Sequence, residues 1–308
     1  MKNVYTLEDV RRWEKTARGI EPPIRLGVIG NPVAHSLSPE MQNAALRECG
    51  IEMQYARFEI APHDLQQALA LMSANNFLGA NITIPHKQAA VELVDQIDEQ
   101  TRRIGAVNTL LFQANSISAF NTDAAGFIRA VHDAFGVDLR DLRVMLLGAG
   151  GGTGRTIAYG CAIERCERLV LVNRTPDKAA KLRDELAARF AEPKVLGPSP
   201  RLQSIDWNEE SIRAQIGQID LVVNATPLGL NRRDPSPFPS NLIAPHLMIF
   251  DVTYGPHRTA LREQATMAGA RYANGLPLLL HQGALAFEIW FNREAPIDAM
   301  RRALQEFA

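Results

Sequence analysis

Hydrophobic residues recur along this chain in short continuous runs separated by amphipathic stretches, the pattern of buried strands alternating with helices. The apolar run at 26–30 ends in Gly-Asn-Pro and predicts a strand followed by a loop. Ser38-Pro39-Glu40, placed ahead of Met41, Ala44, Ala45 and Leu46, predicts a helix with Ser38 as N-cap and Pro39 in the first turn. The same reading gives strands at 55–60 and 79–84, a helix from Pro62, a helix over 88–95, and a hairpin from 107–112 and 117–120. Ahead of these, the first twenty or so residues predict a short amphipathic helix closed by the turn-forming Glu21-Pro22-Pro23.

Past Asp123 the alternation becomes more regular. Phe127, Ile128, Val131 and Phe135 line one helix face, residues 143–160 read as strand, glycine turn and helix, and 169–174, 219–229 and 246–254 predict further strands. Strands alternating with helices imply a parallel sheet with right-handed crossovers. The Pro-rich stretches at 192–200 and 234–245 read as loops. The class is therefore α/β, with domain boundaries expected near 125 and 273.

Composition narrows the function. A length of 308 residues suffices for two domains, and a net charge of -1 with interleaved signs supplies no long-range field for nucleic acid or an anionic membrane. Three cysteines without a CxxC pair and seven histidines without HExxH argue against a disulfide framework or a zinc site. The N-terminal segment is polar, and no apolar run reaches the roughly 18 residues of a membrane span. The expectation is a reduced, cytoplasmic enzyme, monomer or homodimer, acting on a small molecule without nucleic-acid or membrane partners.

Gly148-Ala149-Gly150-Gly151-Gly152-Thr153-Gly154 follows an apolar strand and opens a helix. Such a turn lets a diphosphate approach bare backbone, where N–H groups and the helix dipole favour an anion. A methyltransferase loop for S-adenosylmethionine is a competing reading. The end of the next strand reads Asn173-Arg174-Thr175-Pro176-Asp177-Lys178. Arg174 and Lys178 can converge on a ribose 2′-phosphate, which favours NADP, whereas Asp177 could serve a hydroxyl and keeps NAD as an alternative.

Four polar loops, 35–43, 81–87, 105–109 and 121–123, join apolar segments and combine small hydroxyls and amides with one lysine and one carboxylate. That lining suits a polyhydroxylated small molecule. Ser36-Leu37-Ser38-Pro39, Asn81-Ile82-Thr83-Ile84-Pro85-His86-Lys87, Gly105-Ala106-Val107-Asn108-Thr109, Asn121-Thr122-Asp123, the glycine turn, Asn173-Arg174-Thr175, Asn224-Ala225-Thr226-Pro227 and Gln282-Gly283-Ala284 with Phe287 and Trp290 occur in one order. In that order and spacing the chain resembles the shikimate dehydrogenases from about 25 to 292.

The resemblance implies a substrate domain (1–125 plus 274–308, the last helices returning to it), a Rossmann-type NADP domain (126–273) and an active site in the cleft. It implies reversible NADPH-dependent reduction of 3-dehydroshikimate to shikimate, a step of aromatic amino acid biosynthesis. Lys87 and Asp123 would be the catalytic pair, the ammonium meeting the charge that develops on the carbonyl oxygen. Ser36, Ser38 and Tyr254 would take the substrate carboxylate, and Thr83, Asn108, Asp123 and Gln282 its ring hydroxyls. Gly148, Ala149, Gly150, Gly151, Gly152, Asn173, Arg174, Thr175 and Lys178 would hold the dinucleotide, with Val252 and Gly275 along the nicotinamide; no metal is implied. Ser38 and Asp123 are also plausible helix caps, Lys87 an ordinary solvated lysine, and Asn108 and Asn121 turn residues. The chain departs from the family's pattern at Gln42, where many members carry His, at His281, and in a cofactor turn that reads one residue longer than usual. A quinate- or NAD-using paralogue and a non-catalytic nucleotide-binding protein are the alternatives; Ser38 and Thr175-Pro176 point to shikimate with NADP.

Overall fold

The computed structural model describes residues 2–114, 116–191, 200–255 and 257–307. They fall into two compact α/β units, one of 1–122 with 280–306, the other built on 123–279.

The first unit contains β1 (Tyr5–Thr6), α1 (Leu7–Arg11), α2 (Trp13–Thr16), β2 (Ile24–Gly30), α3 (Ser38–Glu48), β3 (Gln54–Glu59), α4 (Leu65–Ala74), β4 (Gly79–Ile82), β5 (Gln96–Ile97), α5 (Glu99–Ile104), β6 (Thr109–Gln113) and β7 (Ser116–Phe120). The strands form one sheet ordered β1-β3-β2-β4-β6-β7-β5. β1 to β4 run parallel, while β6 is antiparallel to both β4 and β7. The carboxyl ends of β2, β4 and β7 and the amino end of β6 therefore share one edge.

The N-terminal segment is not one helix. Tyr5 and Thr6 pair with Phe58 and Glu59 as an edge strand, and the helix breaks at Arg12 (φ -114°, ψ 33°). The break lets Trp13 turn inward, where its ring meets Tyr5 at 5.5 Å and Phe77 at 5.0 Å between centroids. Three other expectations shift. Helix α3 begins at Ser38 itself, with Leu37 in the cap position, because the Ser38 hydroxyl pairs with Ser36 Oγ (3.2 Å) instead of capping. The strand expected over 79–84 stops at Ile82; beyond it the Thr83 N–H still bonds Ile29 O of β2 (2.9 Å), and Ile84 O accepts from the Asn31 N–H (3.0 Å) in the loop after β2. The helix expected at 88–95 is a 3-10 turn, Ala89–Leu93.

The second unit contains α6 (Asp123–Phe135), β8 (Arg143–Leu147), α7 (Gly152–Ile163), β9 (Arg168–Val172), α8 (Pro176–Leu186), β10 (Leu202–Ile205), α9 (Glu209–Ile216), β11 (Leu221–Asn224), β12 (Met248–Asp251), α10 (Ala260–Met267) and β13 (Arg271–Ala273). Its sheet, ordered β10-β9-β8-β11-β12-β13, is parallel throughout. The central strands carry the fully buried Met145, Leu147, Val170, Val172, Val222 and Ile249. The edge strands β10 and β13 escape sequence reading because their residues are only half-buried or exposed and carry little apolar signal. Of the expected loops, 192–199 lies outside the described residues, and 234–245 holds one 3-10 turn, Ser240–Leu242. Among the described residues no helix is long and apolar enough to cross a membrane.

Two last helices, α11 (Leu276–Phe291) and α12 (Ile297–Gln305), bring the chain back into the first unit. α12 packs on α3, and Trp290 of α11 donates its indole N–H to Leu110 O at 2.9 Å. The approach needs a glycine opposite: a Cβ on Gly79 would lie 2.2 Å from Trp290 Nε1 and 2.6 Å from Leu110 O. Gly79→Ala is thus expected to destabilise the protein by about 1–3 kcal/mol, the usual cost of overpacking, read as a lower urea midpoint at unchanged slope.

Candidate active site

Each sheet presents a polar edge, and each predicted residue belongs to one of them. In the first unit the loop after β2 carries Ser36 and Ser38. Arg57 on β3 holds it, donating from Nε and Nη2 to Ser36 O (2.9 and 2.7 Å) and from Nη2 to both Glu40 oxygens (2.6 and 2.7 Å). Two hydroxyls 3.2 Å apart, one half-buried and one buried, make a small donor pair suited to a carboxylate.

The segment after β4 carries Thr83 and Lys87. Its anchor is His86, which is 1% exposed and hydrogen-bonds Ile60 O through Nε2 at 2.8 Å, so that nitrogen carries the proton. Burial pushes the His86 pKa below its ordinary value, opposed by that bond, and the ring is neutral at pH 7. Lys87 O accepts from the Val107 N–H at 2.8 Å. The half-buried lysine thus extends from a backbone pinned on both sides.

Asn108 lies just ahead of β6. Its Oδ1 accepts from the Thr122 N–H (2.7 Å), and its Nδ2 donates to Thr122 Oγ1 (2.8 Å) and Gln282 Oε1 (3.4 Å). Asn121 donates to Ala106 O at 2.8 Å. Gln282 is placed in turn by Gln42, whose Nε2 donates to Gly283 O at 2.9 Å. The fold therefore brings Ser36, Ser38, Thr83, Lys87, Asn108 and Gln282 to the same sheet edge. Asp123, buried at the start of α6, follows Thr122 directly and counts with the second unit, as does Tyr254.

At the second unit's edge, β8 ends in the glycine turn. Gly148 has φ +84°, which favours glycine, and a Cβ on Gly154 would lie 2.1 Å from Gly148 O. Gly152 to Gly154 therefore belong to α7, where the last serves close helix packing, rather than to a longer turn. Gly150 packs on its own unit too, since its Cβ would meet Lys178 Cβ at 2.6 Å. Gly151 is the open one: a Cβ there would meet only Gly148 O, at 3.6 Å. The first helical bond runs from the Arg155 N–H to Gly151 O, so the N–H groups of 152–154 lead out of the helix start, as an anion site requires. Asn173 ties this turn to the next strand, its Oδ1 accepting from the Gly150 N–H (3.2 Å) and its Nδ2 donating to Thr175 O (2.9 Å). Arg174 and Lys178 are exposed, and among the described residues nothing pairs with either cation. A hollow of about 490 Å³ opens beside them, lined by Asn173, Arg174, Pro176, Asp206, Trp207, Asn208 and Leu228.

At the tips of β11 to β13 a carboxylate is fully buried. Asp251 accepts from Asn224 Nδ2 (2.9 Å), Thr253 Oγ1 (2.9 Å), the Thr253 N–H (3.2 Å), Thr259 Oγ1 (3.2 Å) and the Tyr272 hydroxyl (3.2 Å). Burial raises its pKa against those bonds, and burial beside Asp251 raises that of Tyr272. The cluster seats Val252 to Tyr254 against Gly275, where a Cβ would strike Val252 O at 2.1 Å. Sequence reasoning missed Arg57, Asp251 and the loop 206–208, and it gave no supporting role to His86 or Gln42, although His86 stands in a motif and Gln42 marks a departure from the family's pattern.

Two family models match: the shikimate dehydrogenase substrate binding domain over 28–110 and the shikimate 5′-dehydrogenase C-terminal domain over 275–305. The NADP(+) shikimate dehydrogenase of Methanopyrus kandleri is 39% identical over 283 residues, covering 91% of this chain and 94% of that protein. That of Moorella thermoacetica is 39% identical over 282 residues, covering 91% and 92%. The crystal structure of Thermus thermophilus shikimate 5-dehydrogenase with NADP(H) and shikimate is 32% identical with a TM-score of 0.79, covering 92% of this chain and all 100% of that one.

The buried neutral His86 has a consequence for stability. Its folded-state pKa lies below 6.5, so on acidification the unfolded chain takes up the proton first and stability falls as pH drops below about 6.5. In urea titrations at pH 7 and pH 5, His86→Gln, which keeps a donor for Ile60 O, is expected to lose less stability between the two pH values than the parent.

Proposed function

The chain belongs to the shikimate dehydrogenase family, and on that premise we propose that it catalyses the reversible, NADPH-dependent reduction of 3-dehydroshikimate to shikimate. The observation that carries the reading is Lys87, the one ammonium among the neutral hydrogen-bonders proposed to bind the substrate from the first sheet's edge. Reduction places negative charge on the former carbonyl oxygen. An ammonium hydrogen-bonded there stabilises that charge and delivers the proton, worth roughly 10²–10⁴ in rate. Asp123 has the role of the lysine's acidic partner in the catalytic pair. Ser36 and Ser38 donate to the substrate carboxylate, with Tyr254 as a third donor. Thr83, Asn108, Asp123 and Gln282 take the ring hydroxyls, and the bonds already holding Asn108 orient it in advance.

The residues present fit a 2′-phosphorylated dinucleotide. Gly148 to Gly152 with the α7 N-terminus meet a diphosphate, and Asn173, Arg174, Thr175 and Lys178 meet the ribose phosphate with two unspent cations. Val252 and Gly275 present backbone for the nicotinamide ring. When bound, the cofactor supplies the hydride. The three cysteines, all free, suit a reducing cytoplasm.

A spectrophotometric matrix of shikimate and quinate against NADP and NAD tests the reading, with shikimate plus NADP expected to give the highest kcat/KM. Lys87→Ala should lower kcat by roughly 10²–10⁴ while leaving the NADP Kd within about twofold. Near-normal turnover in that variant would remove Lys87 from the chemistry.

A further inference from the structure

The hollow at the tips of β9 and β10 contains a loop that none of the recognised motifs includes. Strand order gives it meaning. The glycine turn follows β8, Arg174 follows β9, and Asp206 and Trp207 follow β10, three adjacent parallel strands in that order. Neighbouring strands lie about 4.8 Å apart, so successive tips step outward by that amount. A dinucleotide with its diphosphate at the α7 N-terminus and its 2′-phosphate at Arg174 directs its base toward the tip of β10.

The loop is built to meet a base. Trp207 is half-buried against the second unit's core, and its Nε1–H donates to Pro237 O at 3.2 Å, so the indole is a held platform and not a swinging side chain. The amide oxygen of Asn208 is used locally, Oδ1 accepting from the Ser211 N–H at 2.8 Å as the cap of α9. Asp206 is exposed to the hollow, and among the described residues nothing donates to its carboxylate. Nor does an ion pair join it to Arg174, though both line the same space, so the two charges are left for different parts of one ligand.

A carboxylate accepts hydrogen bonds and cannot donate them. The edge of adenine offers a 6-amino donor, whereas hypoxanthine has a carbonyl oxygen at that position. We propose that Asp206 recognises the adenine 6-amino group, with Trp207 as the surface on which the base lies, making Asp206 a determinant of base specificity. This rests on the NADP reading above.

Calorimetric titration of the protein with NADP and with nicotinamide hypoxanthine dinucleotide phosphate, without substrate, reads the effect directly. The parent should bind NADP roughly tenfold more tightly than the 6-oxo analogue, the range of one hydrogen bond to a charged group. Asp206→Ala should bring the two Kd values within about twofold, mainly by weakening NADP, and Asp206→Asn, whose amide can donate to the 6-oxo group, should narrow or invert the preference. Equal affinities in the parent, or an unchanged ratio in both variants, overturns the inference while shikimate oxidation with NADP would leave the proposed function standing. NADP binding that tightens in Asp206→Ala also overturns it, since the carboxylate would then face the 2′-phosphate. Failure of the parent to bind NADP removes both readings.

Discussion

A buried strand that stops inside a protein strands its last polar groups away from their ladder partners, and each must be paired or it costs stability. Both sheets meet this demand with side chains. Asn81 donates to Asn108 O (3.1 Å) and Thr109 Oγ1 (3.1 Å) and accepts from the Tyr55 hydroxyl (2.8 Å). Asn224 accepts from the Thr226 N–H (3.0 Å) and donates to Leu228 O (3.0 Å). The polar density that makes these edges look like ligand sites is therefore partly the cost of ending strands there. Among the described residues, the charged groups left over once that cost is met are Arg174, Lys178 and Asp206.

Asp251 is the exception that gathers charge inward. A carboxylate with no exposed surface is expensive unless donors surround it, and five hydrogen bonds from four residues do so. In exchange, the ends of three neighbouring strands are tied to one group, which gives Val252 to Tyr254 a defined position against Gly275.

Legibility in the sequence followed burial. The central strands β2, β8, β9, β11 and β12 are apolar on both faces and announce themselves. The two-residue β1 and β5, and the edge strands β10 and β13, have only one neighbour each and too few apolar positions to show a period. At the candidate site, the chemical types and the order of motifs were readable, and that order singled out Lys87 from other lysines. The supports were not readable, because their partners are remote: Gln42 and Gly283 are separated by 241 positions, and Arg57 and Ser36 by 21. The Ser38 cap failed for a local reason, a hydroxyl neighbour two residues back that competed for the same group.

The first unit is not contiguous. Residues 123–279 are inserted between its two segments, and the later segment supplies Trp290, Gly283 and the whole of α12. On the ribosome, at ~5–20 residues per second, the sheet of the first unit therefore waits on the order of ten seconds or more for its last layer. Throughout that interval α3 lacks its helical cover and Leu110 O its indole donor, and by its end the inserted unit has its strands and helices while the first unit still waits for α12. Synthesis thus proceeds against the order of the sequence: the half begun first is finished last.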